Sequence, residues 1–434
     1  MFTPLRHTAR CRLIILFILA LAACVSAVLR QPTKGEMALV APVEASSEQA
    51  ILSWQNRLEQ NPDDAQAYAQ LGLAYLQQVR ETADAQLYTL AEQAFDEALA
   101  RDTQQVDALV GQGMLALARH DFQTAVQWGQ KARNLNPFRA QILGILVDGY
   151  TELGRYEEAV ATAQAMVDLR PDLASYSRIS YLRELHGDVA GAMTAMETAV
   201  SFGLPGGEEW AWTQVQLGNL YFNQGALDKA EAIYEETLYY RPNYAYALGG
   251  LGRVAAARGN YEAAIEQLRP LVERLPLPEF AVVLGDLYTA TNQPEAAQQQ
   301  YDLVRLIQRL NEQAGMSVDL ELALFEAEQG QPVVAVKKAR LAYSFRPSII
   351  AADVLAWALY QNGEYQEAWT YAQKAVRLGT QDALMHYHTG KIAYALGDRE
   401  MAQNYLLTAL TINPAFSIRY APDAQAILAT YSAR

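Results

Sequence analysis

A pattern of about thirty-four residues returns ten times along this chain of 434 residues, leaving little sequence for anything else. The clearest copy runs Leu217, Gly218, Tyr221, Gly225, Leu227, Ala230, Tyr234 and Pro242. A period of this length marks a solenoid of helical hairpins, each burying its apolar face only against its neighbours. Glycine or alanine on a first helix lets the neighbouring helix approach, and an aromatic ring fills the gap beside it. Gly154, Gly225, Gly259, Gly330 and Gly397 fall between apolar-periodic stretches, where a left-handed residue is expected to end the first helix. Pro137, Pro171, Pro242, Pro347 and Pro414 should stop the second helix.

The other copies are looser but keep register. One has Tyr68, Leu71, Gly72 and Tyr75, then Ala91, Phe95 and Ala98. Further copies centre on Leu109 and Gly113, on Leu146 and Tyr150, on Tyr176 and Gly187, on Leu251 and Gly252, and on Leu284 and Gly285. The last three centre on Leu322 and Gly330, on Leu355 and Gly363, and on Gly390 and Gly397. The series resembles the tetratricopeptide-repeat family over roughly residues 47–416. That resemblance implies an all-α, right-handed superhelical solenoid of about ten helix-turn-helix repeats, whose first helices line a concave, ligand-bearing side.

A solenoid core grows in one dimension, so residues 65–416 are expected to form one elongated domain despite their length. Open ends need caps. Residues 47–64 (SEQAILSWQNRLEQ and its closing Pro62) read as an N-terminal capping helix, and residues 417–434 as a C-terminal one begun near Pro422. Seven extra residues between Tyr75 and Ala91 predict longer helices or an ordered tip in the first hairpin. Gly203–Gly207 breaks the series and could hinge at Gly206-Gly207, and extra residues around Gln308–Gly315 should lengthen a connection.

The N-terminus carries Arg6, Arg10 and Arg12, then the apolar run of residues 13–23 (LIILFILALAA), the layout of a secretory signal. Leu21-Ala22-Ala23-Cys24 resembles a bacterial lipoprotein box, which implies a signal peptide over residues 1–23, lipidation of Cys24 and a tether over 24–46. The alternative is an uncleaved anchor, because Leu13–Leu29 lies at the short limit for a membrane span. Either reading exports the repeats, to a periplasmic or cell-surface side. Cys11 and Cys24 are the only cysteines, so the mature repeats hold no disulfide framework. Removing the three signal arginines leaves 31 basic against 48 acidic residues, a net charge of −17. That argues against nucleic acid and favours a neutral or basic partner.

Chemistry is sparse. Gly249-Gly250-Leu251-Gly252 sits inside a first helix, where close packing explains it better than phosphate binding. His386 and His388 lie two apart and point to different helix faces, unlike a metal pair at spacing four. Glu157-Glu158 and Glu235-Glu236 fall on outward positions, and no nucleophile triad is present. The expectation is therefore a non-enzymatic protein with no cofactor, no metal and no catalytic residue.

Counting from the repeat starts gives the exposed inner positions that the resemblance implies for partner binding. They are Asp148, Glu152, Ser177, Tyr181 and Glu184 in repeats 3 and 4; Trp212, Asn219, Phe222, Asn223, Tyr246 and Arg253 in repeats 5 and 6; and Asp286 in repeat 7. The last two repeats add Trp357, Tyr360, Tyr387, Lys391 and Tyr394. Aromatics on an open face suit a binding hot spot, although each could instead pack between repeats. Asn219 matches one element of the family's clamp for terminal carboxylates, but Val215 stands where that clamp has lysine. A protein or peptide ligand in the groove is expected, with membrane contact only through the N-terminal anchor. A glycan or cell-wall ligand, or an accessory role beside an extracytoplasmic enzyme, stays open.

Overall fold

The protein is described here by a computed structural model covering residues 47–432. The N-terminal expectations (signal peptide, Cys24, tether or anchor) lie outside those residues. Among the described residues there are 22 α-helices and no strand. One helix, α1 (Ser47–Gln60), precedes ten hairpins, and one, α22 (Tyr420–Ser432), follows them. Repeats 1 to 3 pair α2 (Ala65–Thr82) with α3 (Leu87–Arg101), α4 (Val106–Ala118) with α5 (Phe122–Leu135), and α6 (Ala140–Glu152) with α7 (Tyr156–Leu169). Repeats 4 to 6 pair α8 (Leu173–Leu185) with α9 (Val189–Phe202), α10 (Glu208–Asn223) with α11 (Leu227–Tyr240), and α12 (Ala245–Ala257) with α13 (Tyr261–Arg274). Repeats 7 and 8 pair α14 (Pro278–Ala290) with α15 (Pro294–Gln313), and α16 (Asp319–Glu328) with α17 (Pro332–Phe345). Repeats 9 and 10 pair α18 (Ile349–Gln361) with α19 (Tyr365–Ala375), and α20 (Ala383–Ala395) with α21 (Arg399–Ile412).

Local chemistry sets the helix ends. Pro137, Pro171, Pro242, Pro347 and Pro414 each stand two residues beyond the end of a second helix. There the pyrrolidine ring restrains the residue before it and blocks continuation. Asp121, Asp188, Ser348, Asp382 and Asp398 cap N-termini through side-chain oxygens, each worth about 1 kcal/mol. The expected tip glycines are all left-handed, from Gly154 (φ 69°) to Gly397 (φ 81°).

Packing follows the glycine–aromatic logic. A methyl group on Gly72 or on Gly111 would strike the Phe95 ring, and one on Gly218 or Gly250 would strike Tyr234. Each second-helix ring is thus wedged between the first helices of its own repeat and the next. The Gly249–Gly252 run is explained in the same way, with Phe280, Tyr234 and Leu268 against it. The Tyr234 hydroxyl donates to Asn219 (2.8 Å), and Tyr301 repeats that bond at Asp286 (2.9 Å).

Two irregular segments fold differently from expectation. The extra residues near Gln308–Gly315 lengthen α15 to 20 residues rather than a loop. The Gly203–Gly207 break is pinned, with Trp210 packed on Gly203 and the Gly206 carbonyl accepting from Arg241 (3.0 Å). In repeat 1 the extra residues become an 18-residue α2 and a short tip.

The solenoid also touches itself. The repeat 2 tip meets the start of repeat 8, where Ser317 N–H donates to the Arg119 carbonyl (2.8 Å) and His120 Nδ1 to the Ser317 carbonyl (3.1 Å). The repeat 3 tip meets repeat 9, with Ile349 N–H donating to the Tyr156 hydroxyl (2.9 Å). Repeat 4 meets repeat 10 where Gly187 abuts the Gly379 carbonyl. Repeat 5 meets the segment before α22, where Asn413 Nδ2 donates to the Phe222 carbonyl (2.9 Å). The constant offset of six repeats is the signature of one superhelical turn resting on the next.

Candidate functional site

The interior face is built by the first helices, and the expected site residues divide into three groups along it. In repeats 3 and 4, α6 and α8 carry Asp148, Glu152, Tyr181 and Glu184. Arg178 holds Asp148 through two nitrogens (2.8 and 2.6 Å), an arrangement that fixes both side chains. Glu152 lies 3.9 Å from Arg346, which reaches in from the turn of solenoid above. Burial pushes the Glu152 carboxyl up to about 7, although the Arg346 charge opposes that rise. Glu184 is likewise raised to about 7 by burial, with Asn223 donating to it at 3.5 Å. Tyr181 is half-buried against the Tyr156 and Ile349 cluster, and burial raises its phenol well above the usual range. Ser177 is buried, its hydroxyl bonded to the Leu173 carbonyl. This group is bound up with the seam between superhelical turns.

The C-terminal group is covered by the chain itself. Trp357 and Tyr387 are 1% and 2% exposed, where open rings were expected. Trp357 stacks on His388 (4.1 Å) and Tyr360 (4.8 Å), and Tyr420 of α22 stacks on Tyr387 (4.9 Å). Asp423 of α22 accepts from both the Tyr387 hydroxyl and Lys391 (2.8 Å each). Arg419 reaches Glu328 (3.2 Å) and Asp286 (3.7 Å) on repeats 8 and 7. Only Tyr394 of this group remains open, at 44%. His388 is fully buried with Asp353 at 3.0 Å, and His386 bonds the Thr380 carbonyl, so the two histidines do diverge. Among the described residues no group of three or more His, Cys, Asp or Glu is placed to hold a metal.

The central group alone surrounds an open cavity. Trp212 and Asn219 on α10, Tyr246 and Arg253 on α12, and Glu279, Phe280 and Val283 on α14 line a pocket of about 490 Å³. Three consecutive first helices therefore contribute to one site. Trp212 is 42% exposed, whereas Phe222 on the same helix is 7% exposed and belongs to the core. The Arg253 guanidinium lies over the Phe222 ring (4.2 Å) and donates to Asn219 (3.3 Å). Burial lowers its pKa, and burial raises that of Glu279. Val215 is buried beneath the pocket, so no cation stands at that position. Sequence counting found four lining residues; it missed Gln216, Glu279 and Phe280, whose alignment needs the stagger between neighbouring helices.

Such a pocket can stack an apolar side chain on Trp212 and Tyr246, hydrogen-bond a backbone at Asn219 and offer one positive charge. Among the described residues no helix is long and apolar enough to cross a membrane.

The tetratricopeptide-repeat family model matches residues 83–140, 215–277 and 354–415. The chain is 26% identical over 241 residues to the CTR9 homolog of Arabidopsis thaliana, covering 54% of this chain and 22% of that protein. It is also 26% identical over 312 residues to the cellulose synthase 1 operon protein C of Komagataeibacter xylinus, covering 71% of this chain and 21% of that protein. It thus spans about a fifth of the length of these relatives. Among solved structures, the Cut9–Hcn1 hetero-tetramer of the APC/C aligns with a TM-score of 0.39 at 15% identity, over 89% of this chain and 82% of that one. YrrB, described as a repeat protein with an unusual peptide-binding site, aligns with a TM-score of 0.29 at 20% identity, over 46% of this chain and 97% of that one. With repeat hairpins along the described length and the family pattern matched in three separate stretches, the chain belongs to the tetratricopeptide-repeat family.

Proposed function

We propose that this protein is a non-enzymatic scaffold that binds a protein or peptide partner in its concave groove, tethered to a membrane outside the cytoplasm. The observation that carries the reading is the pocket across α10, α12 and α14, where an exposed tryptophan, a tyrosine and an arginine converge on one cavity. Exposed aromatic surface in a polar surround is the usual composition of a binding hot spot. The tethering part rests on the sequence of the N-terminus, with its basic start, its apolar run and Cys24. Anchoring would raise the local concentration of whatever the groove holds.

Crosslinking from position 216, whose glutamine also lines the pocket, in the native membrane, followed by mass spectrometry, tests this. A recurrent protein partner is expected, lost on Trp212→Ala; repeated absence of any enriched protein would sink the scaffold reading. A second reading, a glucan or cell-wall glycan ligand, draws on the same exposed Trp212, since an indole face stacks on sugar rings. The likeness to a cellulose synthase operon protein adds to it. Binding of a soluble glucan or muropeptide with no protein partner would favour that alternative.

A further inference from the structure

We infer that the central pocket seats a peptide segment bearing a carboxylate beside an apolar side chain, with the carboxylate on Arg253. The inference rests on the protein-binding reading above and narrows its ligand. The observation behind it is a difference between arginines of the interior. Arg178 holds Asp148 at 2.6 Å, and Arg419 holds Glu328 at 3.2 Å. Arg253, among the described residues, makes no ion pair within 4.0 Å. It stands in the wall of an open cavity of about 490 Å³, held from behind by Asn219 and the Phe222 ring.

A guanidinium set this way presents its remaining N–H groups in the forked geometry that matches a carboxylate. Phe222 and Asn219 fix its plane beforehand, so little side-chain freedom is lost on binding. Trp212 and Tyr246 flank it with apolar surface for a neighbouring side chain. Glu279 on the same rim competes for the charge without reaching ion-pair distance. The overall acidity of the chain would have favoured a basic or neutral partner. Local pairing reverses that preference at this site, because Asp148, Asp286 and Glu328 are already paired with Arg178 and Arg419 while Arg253 is not.

The test titrates the full chain with fluorescent, acetylated and amidated peptide pools of the form X-X-Φ-Z-X-X, in which Φ is leucine or phenylalanine. Z is glutamate, glutamine or lysine. The glutamate pool should bind at least ten-fold more tightly than the other two. Arg253→Met should erase the difference between glutamate and glutamine, Arg253→Lys should keep part of it, and Glu279→Gln should enlarge it several-fold. Circular dichroism of each variant separates lost binding from lost folding. A glutamine pool with a free C-terminal carboxylate, if it matches the glutamate pool, identifies the chain terminus as the carboxylate source. Equal binding of all pools, or a glutamate preference that survives Arg253→Met, overturns the inference. So does competition by trigalacturonate at lower concentration than any peptide, which would make the ligand an acidic glycan. If no pool binds while crosslinking from position 216 still captures a protein in Arg253→Met, the acidic segment is wrong and the scaffold stands. If that capture fails in the unaltered protein too, both readings fall.

Discussion

Repeats 3 and 9 turn on the same Gly-X-Tyr pattern and meet opposite surroundings. Gly154-Arg155-Tyr156 and Gly363-Glu364-Tyr365 each bend through a left-handed glycine, at φ 69° and 81°. A methyl group on Gly154 would lie 2.5 Å from the Pro347 carbonyl oxygen, whereas among the described residues nothing lies within 4 Å of one on Gly363. Tyr156 is 4% exposed with a backbone N–H on its hydroxyl; Tyr365 is 39% exposed. Two residues before the glycine, repeat 3 has the inward-facing Glu152 and repeat 9 has the exposed Gln361. The difference teaches that a repeat's chemistry is set by the superhelical turn lying over it as well as by its own sequence.

The largest effect is expected within one helix that crosses from sealed to open. Phe222→Ala, behind the sealed fifth tip, should cost about 3–5 kcal/mol, and Trp212→Ala at the pocket less than about 1 kcal/mol, by urea denaturation. Comparable losses would mean that Trp212 is also a core ring. Next comes the glycine pair. Gly154→Ala carries the left-handed strain and a backbone collision, together about 2–4 kcal/mol, while Gly363→Ala carries the strain alone, about 1 kcal/mol. Equal midpoints for the two variants would remove the overlying turn from the argument.

Removing a hydroxyl should act on a smaller scale. Tyr156→Phe strands the buried Ile349 N–H and should cost about 1–2 kcal/mol, against less than about 0.5 kcal/mol for Tyr365→Phe. Hydrogen exchange at Ile349 should quicken in the first variant only.

The subtlest contrast is one of pH. Folded Glu152 holds its proton up to about 7, while the ordinary carboxyl releases it near 4.5. Between those values the folded chain binds a proton that the unfolded chain has lost, so this group's contribution falls as pH rises. The slope is at most about 1.4 kcal/mol per pH unit. Glu152→Gln, which gives repeat 3 the residue of repeat 9, should gain on the unaltered protein as pH climbs from 4.5 to about 7. Parallel stability curves for the two proteins would show that the carboxyl titrates normally.

Much of the fold was legible because tetratricopeptide packing is local. Gly72, Gly111 and Phe95 are within one repeat of each other, so spacing alone joins them. The prolines mark second-helix ends for the same reason, since a ring that restrains its preceding residue acts on the chain beside it. The candidate site was legible only where the interior is open. Trp212, Asn219, Tyr246 and Arg253 could be found by counting first-helix positions, because no other described segment fills their cavity.

The same count picked Trp357 and Tyr387, which α22 covers, and Phe222, whose ring lies under Arg253. Inner position and exposure part company at Trp357 and Tyr387 because a distant segment folds back over the groove, and at Phe222 because the next repeat packs over the ring. Arg419 meets Glu328 across 91 residues, and Tyr156 meets Ile349 across 193. No periodicity of about thirty-four residues encodes contacts at those separations. The sequence by itself determined the repeat and the turn chemistry, since each depends on forces acting within a hairpin or between adjacent ones. The tertiary structure alone decided which tips are sealed, which carboxyls are raised and which groove arginine faces an open cavity. Sealed tips arise where one superhelical turn rests on another, the open pocket where no described segment does, and small rotations summed over six repeats fix that meeting.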